Sequence, residues 1–70
     1  MVFTVIVEAD EETGTFAATS PDLPDVLAVG ATEDDAISRF INAARGHLDF
    51  LREMGHEAPR PRTKVLAVAV

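Results

Sequence analysis

The chain contains no cysteine. It therefore has neither a disulfide to brace a small core nor a thiolate to hold a metal ion. No basic residue precedes Arg39, so the positively charged opening of a secretory signal is missing. Long hydrophobic runs are missing too: the longest, Val65 to Val70, falls far short of the ~20 residues that cross a bilayer. There is no internal repeat and no low-complexity stretch. These absences predict a cytoplasmic chain with no membrane association.

What is present is a folding composition. Of 70 residues, 47% are apolar, and the mean hydropathy is +0.13, values that belong to globular and not to disordered chains. The length allows one domain spanning 1–70. A domain of this size buries only ~60% of the surface that its unfolded chain exposes, which makes its own core marginal. Folding composition and marginal size together favour self-association or a partner that completes the burial.

Charge is unevenly placed. Residues 1–38 hold nine acids (Glu8, Asp10, Glu11, Glu12, Asp22, Asp25, Glu33, Asp34, Asp35) and no base, a net −9. Residues 39–70 hold six bases and three acids, a net +3. The overall −6 repels phosphate backbones, which disfavours direct binding to nucleic acid. It suits a basic protein partner and speeds encounter with one.

Val2 to Val7 is β-branched and aromatic and predicts a strand. Asp10 to Gly14 is a polar turn with a glycine available for positive φ, and Thr15 to Thr19 predicts the returning strand. Ser20-Pro21-Asp22-Leu23-Pro24-Asp25 cannot continue a ladder, because each proline lacks a donor and restrains the residue before it. Val26 to Val29, ended by Gly30, predicts a third strand. Thr32 then caps a helix with Asp35 at the capping-box position and Glu33 and Asp34 in the first turn. Apolar residues at Ile37, Phe40, Ile41, Ala44, Leu48 and Leu51 predict its buried face. Gly55 and Pro59 end it. Residues 56–63 are a Pro/Arg linker, and Lys64 to Val70 predicts a last strand that is apolar on both faces. The expected fold class is α+β: a two-layer β-β-β-α-β arrangement, with an antiparallel hairpin sheet and one helix on one face.

Two features exceed what that core needs. Ala36, Ala43, His47, Phe50 and Met54 form a second helical stripe, with Gly46 near the solvent side. An apolar last strand at a sheet edge would present unpaired backbone beside apolar side chains. Ala43, Gly46, His47, Phe50, Met54, Val65, Leu66, Val68 and Val70 are accordingly the candidate interface of a homo-oligomer, a dimer or tetramer.

Catalytic and cofactor chemistry find little footing. His47 and His56 are the only histidines and have no ligand spacing. No serine lies in an elbow motif, and Gly30 alone makes no phosphate loop. Arg60, Arg62 and Lys64 form a small basic group typical of a solvated linker. We therefore expect no enzyme activity, no metal and no cofactor. The contrary reading, a degenerate nuclease using metal-bound carboxylates such as Glu8 and Asp10, is testable by RNA cleavage.

The motif order resembles a known family. An N-terminal strand, an acidic turn with Gly14, Phe16 on the second strand, Pro21-Asp22-Leu23-Pro24, Gly30, Thr32 to Ala36, Gly55 and Pro59-x-Pro61 together resemble the HicB-like family over nearly the whole chain. The resemblance implies a fold similar to a truncated ribonuclease H domain, with the last strand parallel beside the first. It also implies an antitoxin that covers a small basic ribonuclease toxin, HicA. Members of the full type carry a further DNA-binding segment, and here the sequence stops at Val70, so autorepression is not expected. Asp25 replaces the usual glycine after Pro-Asp-Leu-Pro, and Phe16-Ala17-Ala18 lacks the aromatic pair common there. Under this resemblance Asp22, Asp25, Glu33, Asp34 and Asp35 are the candidate partner-binding acids, because they cluster at the loop and helix start. An orphan oligomeric module with no toxin and no catalysis is the alternative.

Overall fold

The computed structural model describes residues 1–70. Three strands, β1 (Ile6–Asp10), β2 (Thr15–Thr19) and β3 (Leu27–Gly30), form an antiparallel sheet in the order β1-β2-β3. The helix α1 (Glu33–Glu53) follows and covers one face of it. The fold is α+β, as the alternation of turn residues and apolar periods predicts.

Local chemistry sets the boundaries. Gly14, at φ 70°, closes the first hairpin, its amide donating to the Asp10 carbonyl at 2.9 Å. The Asp10 carboxylate accepts the Glu12 amide at 3.0 Å, the side-chain turn that aspartate favours. Thr32, in extended backbone, caps α1 by accepting the Asp35 amide at 3.0 Å. At the other end Gly55 takes φ 79°. Its amide donates to the Arg52 carbonyl and the His56 amide to the Leu51 carbonyl, at 3.0 and 2.8 Å. Those two bonds form the glycine stop known as the Schellman motif.

The register divides the sheet into two faces. Val7, Ala18 and Ala28 share a row, as do Ala9, Phe16 and Gly30, and these rows face α1. Small residues on both layers let the helix lie close. Ala18, Ala28, Ala36 and Ala44 are all buried, and a Cβ on Gly30 would collide with the Ala36 backbone. Phe40, Leu23 and Val26 fill the remaining core, and burying a side chain of that size stabilises by about 1.5–3 kcal/mol. The opposite rows are Ile6, Thr19 and Leu27, then Glu8, Ala17 and Val29. Nothing in the chain covers them: Ile6, Leu27 and Val29 are all exposed.

Three expectations are corrected. The strand expected at Val2–Val7 begins only at Ile6, because its last ladder partner is Thr19 and the prolines of the next loop turn β2's continuation away. The buried helix face centres on Ala36, Phe40 and Ala44. Ile41, expected inside, is exposed, and Ala36, expected on the flanking stripe, is fully buried. The close approach at Gly30 rotates Ala36 into the core. The last strand, residues 64–70, does not form. A strand exists only through a ladder partner, and this segment pairs with nothing. Its Val65, Leu66 and Val68 are 70–74% exposed.

Candidate interaction surface

Asp22 lies in the loop between β2 and β3, where its amide donates to the Ser20 hydroxyl at 3.2 Å. Its half-buried carboxylate accepts four hydrogen bonds. Oδ1 takes the Arg62 amide at 2.9 Å, the Thr63 amide at 3.1 Å and the Thr63 hydroxyl at 2.7 Å, while Oδ2 takes the Thr4 amide at 3.3 Å. The Arg62 amide first, then the Thr63 hydroxyl, hold this carboxyl below the usual aspartate range, against a smaller opposing push from burial. Asp22 thereby ties the segment before β1 to the segment after α1.

Asp35 is also engaged within the chain. Oδ1 accepts Arg39 Nε at 3.1 Å and Oδ2 accepts the Ala31 amide at 3.2 Å. Arg39 foremost, then the Ala31 amide, hold its pKa below the ordinary aspartate value. Asp25, Glu33 and Asp34 are exposed and make no side-chain hydrogen bond or ion pair.

The fold separates these five acids. Asp22 and Asp25 precede β3, while Glu33, Asp34 and Asp35 follow it, so they lie at opposite ends of a four-residue strand, roughly 13 Å long at ~3.3 Å per residue. What the sheet does bring together is different. β1 and β3 run in the same direction on either side of β2, and Asp10 pairs with Thr15 beside the Phe16–Gly30 pair. The hairpin turn with Asp10, Glu11 and Glu12 therefore shares one end of the sheet with the start of α1. Glu11, Glu12, Glu33 and Asp34 are all exposed there, none of them in an ion pair, and Arg39 on α1 is paired with Asp35. Glu11 and Glu12 were not among the sequence-predicted site residues. The hairpin register is the signal that joins them to the helix start, and it requires pairing β1 with β2 in the correct frame.

The opposite end is mixed in charge. Asp22, Glu57, Arg60 and Arg62 line a shallow polar groove of about 400 Å³ there. A second groove of about 270 Å³ is apolar and runs between the segment before β1 and α1, lined by Phe3, Val5, Phe40, Ile41 and Leu48 among others.

Of the candidate oligomer residues on α1 and at its C-terminal cap, Ala43, Gly46, Phe50 and Met54 are exposed and His47 is half-buried. A Cβ on Gly46 would meet nothing. Val65, Leu66, Val68 and Val70 stand in the exposed segment beyond Thr63. Glu8 and Asp10 point to the same sheet face, two residues apart on β1, but no group of three or more histidine, aspartate or glutamate side chains is placed to hold a metal. No helix is long and apolar enough to cross a membrane.

Comparison with known proteins gives one family. The family model described as the HicB-like antitoxin of bacterial toxin-antitoxin system matches residues 3–69. No curated protein and no solved structure matches.

Proposed function

This chain belongs to the HicB-like antitoxin family of bacterial toxin-antitoxin systems, and we propose that it binds a small basic HicA-type ribonuclease toxin and occludes its RNA-binding face. Family membership suggests a toxin-antitoxin role that is not catalytic. The single observation that carries the finer reading is the acidic end of the sheet, where Glu11, Glu12, Glu33 and Asp34 stand exposed and none is held in an ion pair. A cationic surface evolved to hold RNA phosphates is complementary to such a cluster. The same charges would steer the encounter, and the positive end of the α1 dipole holds the acids in place at modest cost.

In this reading Glu33 and Asp34 contact the toxin directly. Asp35 orients the helix start through Ala31 and Arg39, Asp25 contributes a peripheral charge at the other end, and Asp22 supports the surface by fixing the loop. Titration calorimetry of the chain against its HicA-type toxin tests this, together with RNA-cleavage inhibition. A Glu11→Lys/Glu12→Lys/Glu33→Gln/Asp34→Asn variant, shown by circular dichroism to fold, is expected to bind at least about tenfold more weakly, about 1.4 kcal/mol. Unchanged affinity and unchanged inhibition would remove the assignment.

A second reading is favoured by a separate observation. The exposed Val65, Leu66 and Val68 fit a homo-oligomeric module, and this is compatible with toxin binding at the distant acidic end. If no toxin binds and the chain still self-associates, the orphan-module reading stands alone.

A further inference from the structure

The two faces of the sheet differ in what covers them. α1 lies over the face of Val7, Ala18 and Ala28. Strand alternation places Ile6, Glu8 and Asp10 of β1 on the other, outer face, where they pair with Thr19, Ala17 and Thr15 of β2. Leu27 and Val29 of β3 complete that face. Leu27 is 64% exposed, Val29 48% and Ile6 42%. A single exposed leucine needs no explanation, but these three side chains share one face of a hydrogen-bonded sheet and cannot turn inward.

The ionisable groups on the outer face are both acids. Glu8 lies next to Ile6 on this side of β1, and Asp10 stands at the end that turns into Glu11 and Glu12. The three strands contain no basic residue, and none of these four acids is in an ion pair. The outer face is therefore an apolar patch with an acidic margin, and the margin runs into the acidic end of the sheet.

Size decides what contact such a patch can make. Three strands at ~4.8 Å spacing and about five residues at ~3.3 Å give a flat footprint of roughly 240 Å². That is well below the ~800 Å² that each partner contributes to a standard interface. The patch can serve only as the centre of a larger contact, and the surface that extends it is the acidic end. An apolar centre with a charged rim is the layout of a specific protein interface.

We propose that the toxin interface extends from the acidic end onto the outer face of the sheet: the basic partner seats an apolar patch over Ile6, Leu27 and Val29 and aligns its cations along Glu8, Asp10, Glu11 and Glu12. The inference rests on the toxin-binding reading and adds to it the apolar half of the contact. Charge selects this occupant. A face without a cation repels nucleic acid and anionic lipid alike. A second copy stacked on it across a two-fold axis brings two acidic margins into one small contact with no base to offset them. A cationic protein turns the same charges into attraction.

Titration calorimetry of the full chain against the HicA-type toxin, with NMR of the methyl-labelled chain in the mixture, tests this. The Ile6, Leu27 and Val29 methyl signals are expected to shift on toxin addition. A Leu27→Thr/Val29→Thr variant changes only exposed positions to a residue that favours strands. With an unchanged circular dichroism spectrum, it is expected to bind toxin at least about tenfold more weakly. Glu8→Lys is expected to weaken binding and to slow association. If the acidic-end variant weakens binding while both face variants match wild type and the three methyl signals stay put, this inference is overturned and toxin binding at the acidic end stands. A wild-type chain that binds no toxin overturns both. Face substitutions that lower the mass of a self-associated chain while toxin affinity holds assign the face to a second copy, and likewise overturn the inference.

Discussion

Asp22 and Thr63 stand 41 positions apart in the chain, yet the Thr63 hydroxyl donates to Asp22 Oδ1 at 2.7 Å. The same oxygen also accepts the Arg62 and Thr63 amides, and its neighbour accepts the Thr4 amide. One carboxylate thus serves as the junction between the chain's beginning and the stretch after its helix. Hydrogen bonds to an ionised acceptor are the stronger kind, so the junction depends on the charge of Asp22.

Replacing Asp22 with alanine is expected to free residues 62–63 without melting the sheet. The Arg62, Thr63 and Thr4 amides lose their acceptor together, so their hydrogen exchange accelerates while the α1 amides keep their protection. Native-state exchange read by NMR checks this, and uniform acceleration throughout the molecule would contradict it.

The junction is also pH-dependent, with a sign set by the lowered pKa of Asp22. The folded state binds fewer protons at Asp22 than the unfolded state does. Its stabilising contribution is therefore complete above the ordinary aspartate value of 3.8 and is lost as pH falls through the lower folded value. Asp35 adds a contribution of the same sign. The Arg62 and Thr63 amide shifts should titrate with a midpoint below 3.8 in the wild type, and that titration should vanish in Asp22→Asn.

Gly30→Ala is expected to destabilise by about 1–3 kcal/mol, the usual cost of overpacking. The added Cβ meets the Ala36 backbone and the Asp35 carboxylate oxygen, and a helix backbone cannot swing aside as a side chain tip can. Urea unfolding followed by circular dichroism measures it. Gly46→Ala, where a Cβ meets nothing, is expected to stabilise by up to about 1 kcal/mol through helix propensity.

Phe40→Ala is expected to cost about 3–5 kcal/mol, because Phe40 is 2% exposed at the centre of the core. A domain of this length has roughly 4–10 kcal/mol in total, so a substantial unfolded population should appear at room temperature. Thr32→Ala removes the acceptor for the Asp35 amide and should cost about 1 kcal/mol, which separates capping from core packing on the same helix.

Most of the fold was legible in the residues. Thr32 and Gly55 bracket α1 as capping chemistry requires, and Gly14 marks the hairpin. The centre of the buried helix face was not legible. Ile37 and Ile41 are more apolar than Ala36, yet the clearance at Gly30 admits only the alanine side, and such clearance belongs to two layers in contact. The site was less legible still. Asp22 reads as a surface charge in a loop until its partners, 18 positions before it and 40 and 41 after it, are known. Glu11 and Glu12 join Glu33 and Asp34 only once β1 and β3 are placed in one direction across β2.

The family resemblance, the α+β class, the helix limits and the acidic front half follow from the order of residues alone, because capping, turn formation and net charge are local or additive properties. Tertiary structure alone decided which acids share an end, which carboxylates are occupied, and that residues 64–70 remain unpaired. A strand is a relation between two segments, and whether its partner is present cannot be read from the apolar run that would form it.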